Sequence, residues 1–598
     1  MLVRLARLRP WREYPNLFFW ISFVTLNGLL FLPIYMLNQE TNTFLPSPAE
    51  FAAGVWPGLS QLMIWRDNLD PFRLSLELTL VAALWVNVPW LRRRPLRTLV
   101  VVLYLLALAY YIYEALMVTI YLADPVFYSQ FYLARDGLPF LASALQTPLW
   151  AYGIALVVFA VVVAVLVALV NGMLASGSAP RLHPGTRVTV ALLALLCLVA
   201  GSVYQFYTAR PEMVVSSLGF KLEKNVEASI RLYDDIAGFD DSTARNVYDY
   251  TGYRLDQQPD IYLIFIESYG SVLYKRPDFR VAYSALLTEL EDQMQDAGWH
   301  AVSALSESPT WGGGSWLAYT SLLFGLRIDN QPQYLSLFNK YQVEDYPSLG
   351  RYLASQGYHY AWVSAIEDKW DDRRWAQYAR FMGIDQLLRF RDLDYAGPGY
   401  GWGPAPPDQY MLHYANEVLK ESTDKPLFFS AITQNSHYPW ELPPAIVDDW
   451  RTLNQEEVKA PAPDPDEIDH ATKRQNYMRA VEYELRMLTD FILKNGDEHS
   501  LFILVGDHQP PQVSRRADGW DTPMHVIAKD RALVDAFTGY GFVPGLEVES
   551  PEPALHHEGF YSLFLNVLVD RFGADHVARP AFLPAGVTPG VQNKAIVN

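Results

Sequence analysis

Five apolar stretches crowd into the first 207 residues of this chain, at approximately 16–37, 75–92, 98–122, 149–175 and 188–207. A helix needs about 17–25 residues to cross a bilayer core of ~30 Å. Each stretch is therefore expected to be a transmembrane helix. The second is the weakest, because Glu77, Asn87 and Pro89 interrupt it. The first has a long apolar region with no small-x-small cleavage site after it, so it reads as an anchor and not as a cleaved signal peptide.

Arginines set the expected orientation. Arg4, Arg7, Arg9 and Arg12 precede the first stretch. Arg92, Arg93, Arg94 and Arg97 lie between the second and third, and Arg181 and Arg187 between the fourth and fifth. The alternate loops, 38–74 and 123–148, hold few basic residues. The N-terminus is expected in the cytoplasm, and five crossings place everything after about residue 208 outside it. Glu77 and Glu114 are ionisable residues within these stretches. Such residues are costly in lipid. Glu114, among Tyr110, Tyr111 and Tyr113, is the better candidate for an internal polar contact.

The net charge is -18, and most acidic residues follow residue 233. An acidic domain repels phosphate backbones, so no nucleic-acid partner is expected. The single cysteine, Cys197, excludes an intramolecular disulfide. Residues 208–257 read as a linker. Phe220, Leu222, Val226, Ile230 and Leu232 recur there at near-helical spacing among Lys221, Glu223, Lys224 and Glu227, as in an amphipathic helix.

From Asp260 onward, short apolar runs alternate with helical patterns. Strands are expected over 260–266, 300–305, 358–364, 427–433, 501–505 and 524–528. Helices are expected over 281–297, 315–324, 345–355, 406–421, 468–494 and 557–571. This alternation predicts an α/β domain with a largely parallel sheet. Lys459 to Asp469 reads as a surface loop. The expected organisation is a membrane domain over 1–207, the linker over 208–257, a catalytic domain over 258–575 and a tail over 576–598.

Four segments carry chemistry. Glu267 follows a buried strand, and so does the pair Asp507-His508. Open α/β sheets place their sites at such carboxyl ends. Thr310-Trp311-Gly312-Gly313-Gly314-Ser315 leads into a helix, where the dipole and free N–H groups favour phosphate oxygens. Asn435-Ser436-His437-Tyr438-Pro439 follows a third strand. Singly, Glu267 reads as a strand-end carboxylate, Ser315 as an N-cap and His437 as a loop residue. Their joint occurrence at strand ends and a helix start reads as one site. A metal held by Glu, Asp, His and a hydroxyl oxygen has mixed donors, and it can activate the hydroxyl for phosphoryl transfer.

These motifs resemble the alkaline phosphatase and sulfatase superfamily, and more narrowly the lipoteichoic acid synthase group of membrane phosphoglycerol transferases. The resemblance rests on Phe265-Ile266-Glu267-Ser268, Gly314-Ser315, Asn435-Ser436-His437-Tyr438-Pro439 and Gly506-Asp507-His508. Met382-Gly383-Ile384-Asp385, preceded by Trp370, Asp371, Asp372, Arg373 and Arg374, adds a substrate-binding stretch. It implies five transmembrane helices, a linker helix and an extracytoplasmic sulfatase-like domain in a bacterial plasma membrane. It implies Glu267, Ser315, Asp507 and His508 as ligands of one divalent ion, with manganese first and magnesium or zinc as alternatives.

Ser315 would be the nucleophile, with Thr310 as fallback because the family usually has Thr. His437, Trp370 and Arg373 or Arg374 would contact the head group, and His525 is a further candidate for metal or phosphate. The implied reaction moves a phosphoglycerol-type group from a membrane phospholipid to an extracytoplasmic glycan or lipid acceptor. A phosphoethanolamine transferase, a phosphodiesterase or hydrolase on the same fold, and a non-catalytic lipid-binding protein are the alternatives. Phosphoethanolamine transferases usually carry several disulfides, which one cysteine does not allow.

Overall fold

The computed structural model describes residues 13–37, 72–121, 123–144, 148–204, 214–238, 242–366, 370–400, 405–440, 445–455, 470–514, 518–548, 550, 552–574 and 579–587. Arg4, Arg7, Arg9 and Arg12, residues 208–213 and 239–241 of the linker and the loop from Lys459 to Asp469 lie outside the described residues. The chain divides into two compact units, Met1–Arg231 and Leu232–Asn598.

The first unit contains α1 (Pro15–Leu37), β1 (Leu74–Ser75), α2 (Leu76–Asn87), α3 (Arg94–Tyr121), α4 (Phe127–Ala144), α5 (Leu149–Gly177), α6 (Pro184–Tyr204), β2 (Val215–Ser216) and α7 (Leu218–Ala237), within which the division falls. Helices α1, α3, α5 and α6 are long and apolar enough to cross a membrane. The second apolar stretch is shorter than expected. Its 12 residues in α2 rise only about 18 Å, and a 3₁₀ turn over Pro89–Leu91 follows. The same Asn87 and Pro89 that interrupt the sequence end the helix there. A helix, α4, also occupies the region expected to be a loop between the third and fourth stretches.

Residues Phe19, Leu26, Leu30, Ala82, Val86, Val170 and Met173 pack together inside this unit. Trp150, Leu156 and Phe159 of α5 stay more than 60% exposed, which suits a hydrocarbon surround. Buried polar groups here serve the backbone. Asn27 Oδ1 accepts the N–H of Ser75 at 2.9 Å, and Ser75 Oγ caps α2 by accepting the N–H of Leu78 at 3.2 Å. Glu77 Oε1 accepts from Ser217 Oγ at 2.9 Å and from the N–H of Gly219 at 3.0 Å. It thus sits against the positive end of α7. Glu114 makes the expected internal contact: it is buried and ion-paired with Lys221.

The second unit continues with α8 (Ser242–Val247), β3 (Asp260–Ile266), α9 (Val272–Lys275), α10 (Pro277–Asp296), β4 (His300–Glu307), α11 (Ser315–Phe324), α12 (Gln331–Tyr341), α13 (Leu349–Ser355), β5 (His359–Ser364), α14 (Asp372–Met382), β6 (Gln386–Arg389), α15 (Asp408–Ser422), β7 (Leu427–Ile432), α16 (His470–Asn495), β8 (Ser500–Gly506), β9 (Asp521–Ala528), α17 (Arg531–Ala536), β10 (Val543–Pro544), β11 (Leu555–His556) and α18 (Phe560–Phe572).

One nine-stranded sheet runs in the order β10-β4-β9-β8-β3-β7-β5-β6, with β11 beside β4. The strands from β8 to β6 are parallel to their neighbours. Strand β9 is antiparallel to both β4 and β8. Buried clusters lie on both faces of the sheet: Ile261, Leu263 and Phe265 face one, and Tyr262, Ile264 and Ile266 the other. That two-sided burial explains why the central strands read as continuous apolar runs.

Candidate active site

Strands β3 and β8 pair in parallel with Ile266 opposite Gly506. The next residue on each strand is therefore Glu267 on one side and Asp507 on the other. Residues far apart in sequence become neighbours because two buried strands end level. The neighbouring β7 aligns Ile432 with Phe265, which brings the 433–437 loop to the same edge.

Glu267, Asp507 and His508 are buried, and their ligand atoms all lie within 4.8 Å of one another. His508 Nε2 is 3.5 Å from Glu267 Oε1 and 3.4 Å from Asp507 Oδ2. Asp507 Oδ1 accepts the N–H groups of Ser268 at 2.8 Å and His508 at 2.7 Å. His508 Nδ1 lies 2.9 Å from the carbonyl of Gln509, to which it donates, so Nε2 is an acceptor and takes the N–H of Gly313 at 3.0 Å.

Ser315 opens the helix, as expected over 315–324, but does not cap it. Gly314 is the N-cap, in a left-handed conformation with φ of 76°, and Ser315 is the first residue of α11. Its hydroxyl is thus free of capping and donates to Glu267 Oε2 at 3.1 Å; His508 Nε2 is 3.5 Å away. Thr310 is placed otherwise: its Oγ1 donates to the carbonyl of Gly313 at 2.7 Å, bracing the glycine loop.

His437 Nε2 is 3.9 Å from Glu267 Oε1, and its imidazole is partly exposed. Trp370, Arg373 and Arg374 are exposed, at or just before the start of α14. The guanidinium of Arg374 lies 4.8 Å from the ring of Trp370. His525 lies inside β9, opposite Leu504 of β8 and Ser303 of β4. Its ring nitrogens meet Tyr269 at 2.9 Å and Ser303 at 2.7 Å. Burial pushes its pKa down to about 3. The structure therefore gives His525 core partners and leaves it outside the Glu267, Asp507 and His508 group.

Several supporting residues were not singled out in the sequence. Ser436 Oγ donates to the carbonyl of Glu267, and Ser308 Oγ to that of Asp507, both at 2.6 Å. Ser268 Oγ donates to Glu267 Oε1 at 2.9 Å. The adjacency of Ser268 to Glu267 and of Ser436 to His437 was the available signal.

Burial disfavours the charge on Glu267, but His437 and His508 together with hydrogen bonds from Asp507 and Ser268 hold the carboxyl below its usual range. Burial, reinforced by Glu267, pushes Asp507 well up. His508 is itself pushed down by burial, which agrees with its role as acceptor from Gly313. Asp507 Oδ2 is buried without a donor among the described residues. Two apposed carboxylates with one orphaned oxygen and an acceptor imidazole are what a divalent cation satisfies. The donor set fits a metal ion.

Residues 318–526 match the sulfatase family model. The α/β unit is thus a sulfatase-like domain, and it follows a set of apolar helices that are candidate membrane spans. No curated protein matches the chain. Among solved structures, the lipoteichoic acid synthase LtaP from Listeria monocytogenes is 16% identical, over 57% of this chain and 80% of that one, with a TM-score of 0.37. The phosphoglycerol transferase GacH of Streptococcus pyogenes, in complex with sn-glycerol-1-phosphate, is 14% identical, over 56% and 81%, with a TM-score of 0.33. The C-terminal periplasmic domain of EcEptC from Escherichia coli is 11% identical, over 56% and 89%, with a TM-score of 0.35.

Proposed function

We propose that this sulfatase-like domain makes the chain a membrane phosphotransferase. Ser315 takes a phosphoglycerol-type group from a membrane phospholipid and passes it to an extracytoplasmic glycan or lipid acceptor. The carrying observation is the position of Ser315 Oγ. It stands at the first residue of a helix, 3.1 Å from a buried carboxylate and 3.5 Å from an acceptor imidazole. A residue serving only the helix would not be held there.

Glu267, Asp507, His508 and Ser315 would hold one divalent ion, with manganese first and magnesium or zinc as alternatives. The ion supplies charge neutralisation at the phosphoryl group and lowers the pKa of the serine hydroxyl.

The chain's own residues do the rest. The hydrogen bond to Glu267 Oε2 orients Ser315 Oγ, and the N-terminus of α11 favours the phosphoryl oxygens. Ser315 Oγ passes its proton to Glu267 Oε2 and bonds to phosphorus as the bond to the lipid oxygen breaks, and the His437 imidazolium gives that oxygen a proton from Nε2. In the return step His437 Nε2 takes the proton of the acceptor hydroxyl as its oxygen bonds to phosphorus, the bond to Ser315 Oγ breaks, and Oγ recovers its proton from Glu267. Trp370 with Arg373 or Arg374 contacts the head group from the start of α14.

The domain is proposed to face outside a bacterial plasma membrane: arginines before α1, between α2 and α3 and between α5 and α6 lie on one side only if the short α2 also crosses, which makes five crossings with α1, α3, α5 and α6. Protease added to intact spheroplasts should release a fragment beginning after about residue 208. Cleavage only after lysis would invert this topology.

The reaction is tested by mass spectrometry of the full, manganese-loaded chain after incubation with mixed phospholipids. The expected result is a glycerophosphate adduct on the Ser315 peptide that disappears on chelation. An adduct bearing ethanolamine would change the donor, and an adduct on Thr310, or none, would overturn the assignment of Ser315.

A further inference from the structure

The loop that carries His437 is held from behind by two carboxyl groups that the proposed reaction does not use. Asp408 opens α15 and Glu484 lies midway along α16, and both are fully buried. Asp408 Oδ2 accepts the N–H groups of Gln434 and Asn435, each at 2.7 Å. Asn435 Oδ1 accepts the N–H of Asp408 in return, at 2.7 Å. This reciprocal set ties the start of α15 to the turn after β7, two residues before His437. On the far side, Asp408 Oδ1 and both carboxyl oxygens of Glu484 have no donor among the described residues. The two side chains instead interact with each other. Ionised carboxylates only accept hydrogen bonds, so such a pair is satisfied when one member carries a proton.

We infer that Asp408 and Glu484 share one proton, resident on Glu484, and that this acid–carboxylate pair positions His437. The role of His437 rests on the reaction proposed above. Glu484 donates its O–H to Asp408 and is neutral. Asp408 then keeps a full negative charge for the two N–H groups of the loop. Burial, and then the charge of Asp408, raises Glu484 well above the usual carboxylate range. Burial raises Asp408 to about 6 against hydrogen bonds from Glu484, Asn435 and Gln434. The other titratable groups facing the pair are Glu267 at the end of β3, Tyr483 on α16 and Tyr400, which faces Tyr483. Glu267 adds negative charge, which further favours keeping the proton. Removing the proton at high pH sets two buried charges against each other and loosens the loop.

The test uses the full chain in detergent, loaded with manganese. Glu484→Gln replaces the acid O–H with an amide donor that persists at every pH. Infrared difference spectra at neutral pH should show a protonated carboxylic-acid band in the wild type that Glu484→Gln lacks. Glu484→Gln should keep wild-type kcat near neutrality and hold it to higher pH. Glu484→Ala should lose about 10²-fold in kcat with little change in KM. Absence of the band from the wild type, or a second bound manganese ion that Glu484→Gln removes, overturns the shared proton. Wild-type kcat and pH profile in both variants overturn the positioning role. If the band is present but His437→Ala turns over normally, the proposed reaction has failed and the shared proton stands.

Discussion

In the membrane unit, Glu114 is buried beside Lys221, which supplies the opposite charge. In the α/β unit, Glu267 and Asp507 are buried beside each other, and Asp507 Oδ2 has no donor among the described residues. Both arrangements are costly to build, because charge leaves water in each. The first is complete within the protein and holds helices together. The second would be completed by the divalent ion proposed for it. Whether a buried carboxylate faces an opposite charge within the chain therefore distinguishes Glu114 from the Glu267 and Asp507 pair, where burial and residue type do not.

The sharpest way to break this contrast is at Ser315. Ser315→Ala should lower turnover by at least about 10³-fold, because a covalent nucleophile has no substitute. The variant should remain folded and membrane-inserted, since Gly314 and not Ser315 occupies the cap. A turnover assay with intact protein reads this, and near-normal rates would remove the covalent route.

Next is the ion pair. Glu114→Leu alone should destabilise the membrane unit by about 3 kcal/mol by leaving the partly buried Lys221 without its carboxylate. The double variant with Lys221→Leu should recover most of that loss. Thermal denaturation of the full chain in detergent checks it, and an equal loss in both variants would mean the pair is not self-contained.

His525 sharpens the contrast from the other side, as a buried titratable group with protein partners. Burial lowers its folded pKa from 6.5 to about 3. The unfolded chain therefore binds a proton below pH 6.5 that the native state refuses. Stability should fall by about 1.4 kcal/mol per pH unit as pH drops from 6.5 toward about 3. His525→Gln should flatten that slope in denaturant titrations. His557, which burial pushes down to about 4, leaves part of it in place. An unchanged slope would mean that His525 is protonated when folded.

The smallest effect is expected at Thr310. Its hydroxyl braces Gly313, so Thr310→Ala should cost about 1 kcal/mol of stability and keep most turnover. Loss of all activity there would exchange the roles of Thr310 and Ser315.

The central strands were legible because burial on both faces leaves an unbroken apolar run. Elements that pack one face, or hardly pack, were not. Helices α12 and α14 were not among the expected elements although Tyr334, Leu337, Phe338 and Tyr341, and Trp375, Tyr378, Phe381 and Met382, fall at helical spacing; Gln331-Pro332 and the charges of Asp372, Arg373, Arg374 and Arg380 mask those short stripes. Strands β6, β10 and β11 have four, two and two residues, too few for a period to appear. At the candidate site, Glu267, Asp507 and His508 could be read because each ends a run. Nothing local sets Asp408 apart from any acid near the start of the helix expected over 406–421, or Glu484 from the other charges along 468–494. Their meeting depends on how α15 and α16 pack, which no local pattern encodes.

The level ending of β3 and β8 has a mechanical consequence. A side chain on Gly506 would meet the carbonyl oxygen of Tyr269 at 1.9 Å, so the chain leaving β3 runs directly against the end of β8. A slip of one residue between these strands would turn Glu267 or Asp507 to the opposite face of the sheet. An ion gripped by both would act as a rivet across the seam, admitting one alignment of the strands and rejecting the rest. Its uptake would then report, late in folding, that the centre of the sheet has zipped in register.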